Sequence, residues 1–158
     1  MEKIYVSKPE YIEVDDGKRF TKKNDVKNKC NILVKTKIKY KVVQDIGEAI
    51  DYFTKNKDAT PIARYEFGDS MSPILESGEY CVLKPIQYYS QPQSILGKAV
   101  LCIVNGYPMT HMVWNMSTSS ANGVYYLIGD SHGNIYGWTN QVFAVAKGTN
   151  IFEKEEID

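Results

Sequence analysis

The sequence predicts a mainly β protein: a coiled, largely antiparallel β domain over residues 59–150, preceded by a small α+β extension over 1–58 and followed by an acidic tail over 151–158. Three observations predict it. Past Asp58 the charged residues thin out, and short runs rich in β-branched and aromatic residues alternate with turn residues. Only one segment, Asp45–Lys55, repeats apolar positions with a helical period. Finally, 158 residues of which 43% are hydrophobic match the size and apolar content of one domain with one core.

The elements follow in order. Lys3–Val6 and Tyr11–Val14 alternate apolar and polar residues, and Asp15-Asp16-Gly17 is a turn signal. Phe20–Cys30 is polar and rich in Lys and Asn, so it reads as a loop. Ile32–Val43 contains a stretch in which Lys interleaves with Thr36, Ile38 and Tyr40, the period of a half-buried strand. Asp45–Lys55 sets Ile46, Ala49, Ile50 and Phe53 on one helix face, with Asp45 at the positive end of the dipole. Strands are then expected at Ile62–Phe67, Tyr80–Lys84, Ala99–Val104, His111–Trp114, Val124–Gly129 and Gln141–Lys147, with a short helical turn at Ser72–Glu76. No internal repeat interrupts this series, and Glu153–Asp158 is expected to fray.

Charge and cysteine usage narrow the function classes. With 19 basic against 19 acidic side chains, the chain has neither a basic coat for nucleic acid nor an acidic solvating character. The surplus of basic residues is local, in Lys18–Lys41, and the Lys-rich strand Lys35–Lys41 reads either as a phosphate-facing stripe or as protection of an exposed edge against aggregation. The edge reading is preferred, because only Phe20 and Tyr40 offer stacking platforms and Arg is nearly absent. A protein partner is therefore expected ahead of nucleic acid. Cys30, Cys81 and Cys102 have no metal-ligand spacing and an odd count, which fits a reducing compartment and no bound metal or cofactor. No run approaches the roughly 20 apolar residues that span a bilayer, and Met1–Pro9 lacks the order of a signal peptide. A soluble cytoplasmic protein, or a particle component made inside a cell, is the expectation. Nothing in the sequence specifies an oligomeric state.

The chemistry concentrates in Phe67–Pro85, F-G-D-S-M-S-P-I-L-E-S-G-E-Y-C-V-L-K-P. Asp69 or Ser70 can cap a short helix with Pro73 in its first turn, where a missing N–H costs little. Such a turn also sets a Ser hydroxyl beside unpaired backbone N–H groups that can stabilise an oxyanion. Ser70 is thus either a cap or a nucleophile. The order of residues resembles the nucleophile box of the LexA-repressor and signal-peptidase superfamily of serine peptidases, with Gly68, Ser70, Met71, Pro73 and Leu75 in register. The resemblance implies that Ser70 is the nucleophile, and that Gly68, Asp69, Met71 and Pro73 line the substrate-binding edge.

Two later boxes extend the likeness. His111, in G-Y-P-M-T-H-M-V-W, falls 41 residues after Ser70. The arrangement is similar to archaeal and endoplasmic-reticulum signal peptidases, where a His replaces the Lys base of the bacterial enzymes. A His near its ordinary pKa can accept a Ser proton at neutral pH. Asp130, in Y-Y-L-I-G-D-S-H-G, resembles the Asp of the superfamily's late G-D-N or G-D-S box, and the resemblance implies that it orients His111 as the third member of a triad. Its other reading is a turn residue between strands, and His132 is the competing His. Met112 stands where the archaeal box carries Arg, and Asn134, Tyr136 and Trp138 occupy the neighbourhood of the family's second Asp. Lys98, in L-G-K-A-V-L, matches a turn position and not the base.

The likeness covers residues 62–146, and the segment before it resembles neither an anchor nor a helix-turn-helix reader. The expected function is therefore a serine peptidase acting on an extended peptide, its own or that of a maturing partner. The alternative is a module that keeps the fold without the chemistry and serves as a structural or interaction protein, such as a phage particle component.

Overall fold

The computed structural model describes residues 10–21, 31–66, 79–119, 121 and 123–148. The chain is mainly β, built from antiparallel sheets and one α-helix. In order, the elements are β1 (Tyr11–Thr21), β2 (Asn31–Lys41), α1 (Ile46–Lys55), β3 (Ile62–Glu66), β4 (Glu79–Pro85), β5 (Ala99–Val104), β6 (Tyr107–Ser119), β7 (Gly123–Gly129), β8 (Ile135–Thr139) and β9 (Gln141–Gly148). Short 3-10 turns at Ile86–Tyr88 and Pro92–Ile95 connect β4 to β5.

Strands β1 and β2 form a two-stranded ribbon of their own, paired from Tyr11↔Lys41 to Thr21↔Asn31. Here the structure corrects the sequence reading. Asp15-Asp16-Gly17 is not a turn but the middle of β1, opposite Lys37, Thr36 and Lys35. The pairing of β1 with β2 continues through these residues, and this long-range pairing overrides the local turn preference. Along β2, Lys37, Lys39 and Lys41 are exposed while Ile38 and Tyr40 are half-buried, as the alternation requires. The base of the ribbon packs on the main sheet through Val14, Ile12 and Tyr40 against Val82.

The remaining strands make one sheet in the order β3-β4-β9-β5-β6-β7-β8. Strand β9 enters between β4 and β5, antiparallel to both. The outer side of β3 is closed by a parallel bridge between Val42 and Ala63 and by the Gln44 side chain, which donates to Tyr65 O and accepts from Tyr65 N at 2.9 and 3.0 Å. Edge amides that would otherwise invite a foreign strand are thereby satisfied.

Helix α1 covers one face of this sheet. Asp45 caps it by accepting from Glu48 N at 2.9 Å. Ala49, Ile50 and Phe53 then face Ile62, Leu83, Ala99, Leu101, Ala144 and Ala146. Burying a side chain the size of Ile50 or Phe53 is worth about 1.5–3 kcal/mol. A second apolar cluster fills the opposite face, with Ile95, Val100, Cys102, Val104, Val113, Tyr126, Ile128 and Val145. The sheet coils around it: the Thr139 hydroxyl donates to Ile103 O, and Asn105 Nδ2 donates to Tyr136 O at 3.4 Å, so β8 folds back on the β5–β6 hairpin. Gly137, at φ 142°, sits where that return is tightest, since a Cβ there would lie 3.2 Å from Val104 Cγ1.

Most of the expected strands stand within a residue or two of their predicted bounds. The strand expected at His111–Trp114 is the middle of a much longer one, β6, and β8 is a strand where the sequence pattern predicts none. The helical turn expected at Ser72–Glu76, the strand at Lys3–Val6 and the tail at Glu153–Asp158 lie outside the described residues.

Candidate functional site

The site is built where β7 ends, and two irregularities build it. Strand β6 pairs Val113 with Ile128 and Asn115 with Leu127, so Trp114 is an extra residue. Strand β8 pairs Gly137 with Ile128 and Ile135 with Gly129, so Tyr136 is an extra residue there. A bulge turns its extra side chain out of the regular alternation. Both of these aromatic residues are turned onto Asp130, the first residue beyond β7.

Trp114 Nε1 donates to the Asp130 backbone oxygen at 3.0 Å. Its indole lies across Gly129, where a Cβ would come 2.7 Å from Nε1 and 2.5 Å from Asn134 O. Only glycine allows that approach. The Tyr136 hydroxyl donates to Asp130 Oδ2 at 3.1 Å, and Asn134 Nδ2 donates to the same oxygen at 2.8 Å. Asp130 Oδ1 accepts from the His132 and Asn134 backbone N–H groups at 2.9 and 3.0 Å. Asp130 N donates to Asn134 O at 2.9 Å and closes the turn. The carboxylate is 2% exposed, yet it stays ionised. Its pKa is held down at about 2, first by the Asn134 side chain and further by the backbone donors and Tyr136, against the opposing effect of burial.

His111 stands on β6 opposite Val100. Directly opposed residues share a face, so the imidazole lies on the side of the second apolar cluster. Its ring meets the ring of Tyr136 with centroids 4.6 Å apart and planes tilted by 56°. Burial lowers its pKa below the ordinary 6.5, while the Asp130 charge pulls the other way. The imidazole is therefore neutral at pH 7 and able to accept a proton, with a negative charge near enough to favour the imidazolium once formed.

The sequence-derived residues divide as follows. His111 and Asp130 belong to one cluster, joined by Tyr136. Gly68, Asp69, Ser70, Met71 and Pro73 lie outside the described residues. His132 gives its backbone N–H to Asp130, and its side chain is exposed in the turn. Lys98 is an exposed residue just before β5; its backbone oxygen accepts from Val113 N at 2.9 Å. Tyr136 and Trp114 carry the geometry but were not singled out from sequence. The signal that marks them, a register shift on each side of β7, exists only once the strands are paired.

Cys81 and Cys102 lie buried in the two apolar clusters, and burial pushes the Cys102 thiol up to about 12, far from a reactive thiolate. Among the described residues no group of three or more His, Cys, Asp and Glu side chains can hold a metal ion. No helix among them is long and apolar enough to cross a membrane. No family model, no curated protein and no solved structure matches the chain.

Proposed function

We propose that the chain is a serine peptidase of the LexA-repressor and signal-peptidase type, with His111 as the base for Ser70. The observation that carries this reading is the neutral, half-buried imidazole of His111 clustered with the ionised Asp130. The G-D-S-M-S-P-I-L box supports it from the sequence side. In this reading His111 takes the Ser70 hydroxyl proton as the oxygen bonds to the carbonyl carbon of an extended peptide. Backbone N–H groups of the Gly68–Met71 box hold the oxyanion. The imidazolium then protonates the departing amine, and water, deprotonated by the same imidazole, hydrolyses the acyl ester. Asp130 stabilises the imidazolium in between. The substrate is a protein segment, either of this chain or of a partner that it matures.

A second reading has an observation of its own. The oxygens of Asp130 accept from His132 N, Asn134 N, Asn134 Nδ2 and the Tyr136 hydroxyl, which is a complete structural role in the β7–β8 turn. A non-catalytic module acting as a structural or interaction protein would keep that turn without any chemistry.

One experiment separates the two. Wild type and Ser70→Ala are incubated alone and with a library of extended peptides, and cleavage is followed by mass spectrometry. Cleavage and labelling by a serine-acylating probe that both vanish in Ser70→Ala support the peptidase. Wild type that neither cleaves nor labels sinks it and leaves the module.

A further inference from the structure

The three groups that meet at the end of β7 are not arranged as a plain carboxylate–imidazole pair. Tyr136 touches both of the others. Its hydroxyl donates to Asp130 Oδ2 at 3.1 Å, and its ring packs on the His111 ring at 4.6 Å. It reaches them only because it is the unpaired residue of the β8 bulge; in regular pairing, residue 136 would be matched to a partner on β7. The bulge is held from both sides. Asn105 Nδ2 donates to the Tyr136 backbone oxygen, and the space beside Gly137 is closed by the β5–β6 turn, since a Cβ there would lie 3.3 Å from Asn105 Nδ2. A side chain aimed by strand geometry and fixed at its tip and its backbone has little freedom left.

We infer that Tyr136 is a positioning residue for His111: its ring fixes the imidazole and its hydroxyl ties that ring pair to the Asp130 carboxylate, so that carboxylate and base are linked through a phenol. This inference rests on the reading of His111 as the base. It goes further, because it assigns the orienting contact to Tyr136 and leaves Asp130 to supply charge. Tyr136, from β8, and Asp130, from the turn, are titratable groups that face His111.

The chain has two histidines, so imidazole proton resonances can be assigned with the single variant His132→Gln. Three measurements on the full chain follow. First, the His111 ring protons carry a ring-current displacement from Tyr136; it persists in Tyr136→Phe and disappears in Tyr136→Leu. Displacement that survives in Tyr136→Leu overturns the ring contact. Second, Asp130→Asn lowers the His111 pKa by removing the negative charge. In the Tyr136→Leu background, which lacks both the ring and the hydroxyl contact, the imidazole is no longer held at its distance from the carboxylate, so the lowering differs from that in the wild-type background. A lowering of equal size in both backgrounds shows that Tyr136 does not set the position of His111 relative to the charge, and overturns the inference. Should Asp130→Asn fail to fold, Asp130→Ser, whose hydroxyl still accepts from the turn amides, supplies the same comparison. Third, if Ser70-dependent cleavage is found, Tyr136→Phe lowers kcat by about tenfold to a hundredfold with KM unchanged, as a misplaced base does. A Tyr136→Phe enzyme with unaltered kcat contradicts the inference. Absence of cleavage would sink the peptidase reading alone, and the titration would still decide what Tyr136 does.

Discussion

Asp130 answers to two neighbourhoods, the turn it closes and the imidazole it faces, and acid separates them. Its folded pKa of about 2 lies below the ordinary 3.8 because the ionised form is the one that its donors bind. A depressed carboxylate pKa means that the unfolded chain binds the extra proton. The stabilisation is therefore complete above pH 3.8 and is lost as pH falls from there toward 2. The stability difference between wild type and Asp130→Asn should be full near neutrality and narrow across that window, as read by urea denaturation in a pH series. A difference that stays constant down to about pH 2 would contradict the ionised, turn-bound carboxylate. His111 acts in the same direction at higher pH. Lowered by burial, it favours the folded chain above 6.5 and loses that contribution as pH falls below it. How much of the site the sequence disclosed follows from the kind of residue. His111 and Asp130, which the structure brings into one cluster, stand out in the sequence because few residue types do the chemistry proposed for them. Tyr136 is one of 12 tyrosines, and only the slipped register of β8 distinguishes it.

At the scale of elements, local signals held where one local force dominates. The helix is the plainest case, since its apolar period and its cap agree, and Asp45 accepts from Glu48 N as the sequence implies. Asp45→Ala should cost about 1 kcal/mol, the usual value for losing an N-cap, measured as a drop in the denaturation midpoint at unchanged slope. The strands that fill the two cores were legible for the same reason, being continuous apolar runs. Two kinds of element were not. Ile135–Thr139 reads I-Y-G-W-T, too short and too broken by Gly137 to show a period, and it becomes a strand because β7 offers it partners. Asp15-Asp16-Gly17 reads as a turn and is strand, because β2 pairs with β1 along its whole length. In both, pairing at long range outweighs the local preference.

For the whole molecule, the question is what the basic stretch does. The register places Glu13 opposite Lys39 and Asp15 opposite Lys37, and Lys39 Nζ sits 4.4 Å from the Tyr11 ring centroid. The positive stripe is partly answered within the ribbon itself, so it makes a weak anchor for phosphates. DNA retention by the full chain should be slight already at about 50 mM salt. A true duplex-binding face would instead show a log–log salt slope of roughly −0.9 per phosphate contacted, on the order of a hundredfold between 50 and 200 mM for four contacts. A retardation titration at the two salt concentrations reads the difference, and a steep slope would overturn the expectation.

The place of β9 in the sheet has a consequence for how the chain is made. It is the last strand of the described chain, yet it lies between β4 and β5. Before Gln141–Gly148 has emerged from the ribosome, β3–β4 and β5–β8 have no strand to join them, and each is left with an edge of unpaired backbone N–H and C=O groups. Neither piece can find the other through its own hydrogen bonds. Closing the sheet must therefore wait for Gln141–Gly148 and then joins residues far apart in sequence, the slow step in β proteins. Over that interval the nascent protein is at its most prone to pair with other chains, and it is then that a holdase chaperone would matter most.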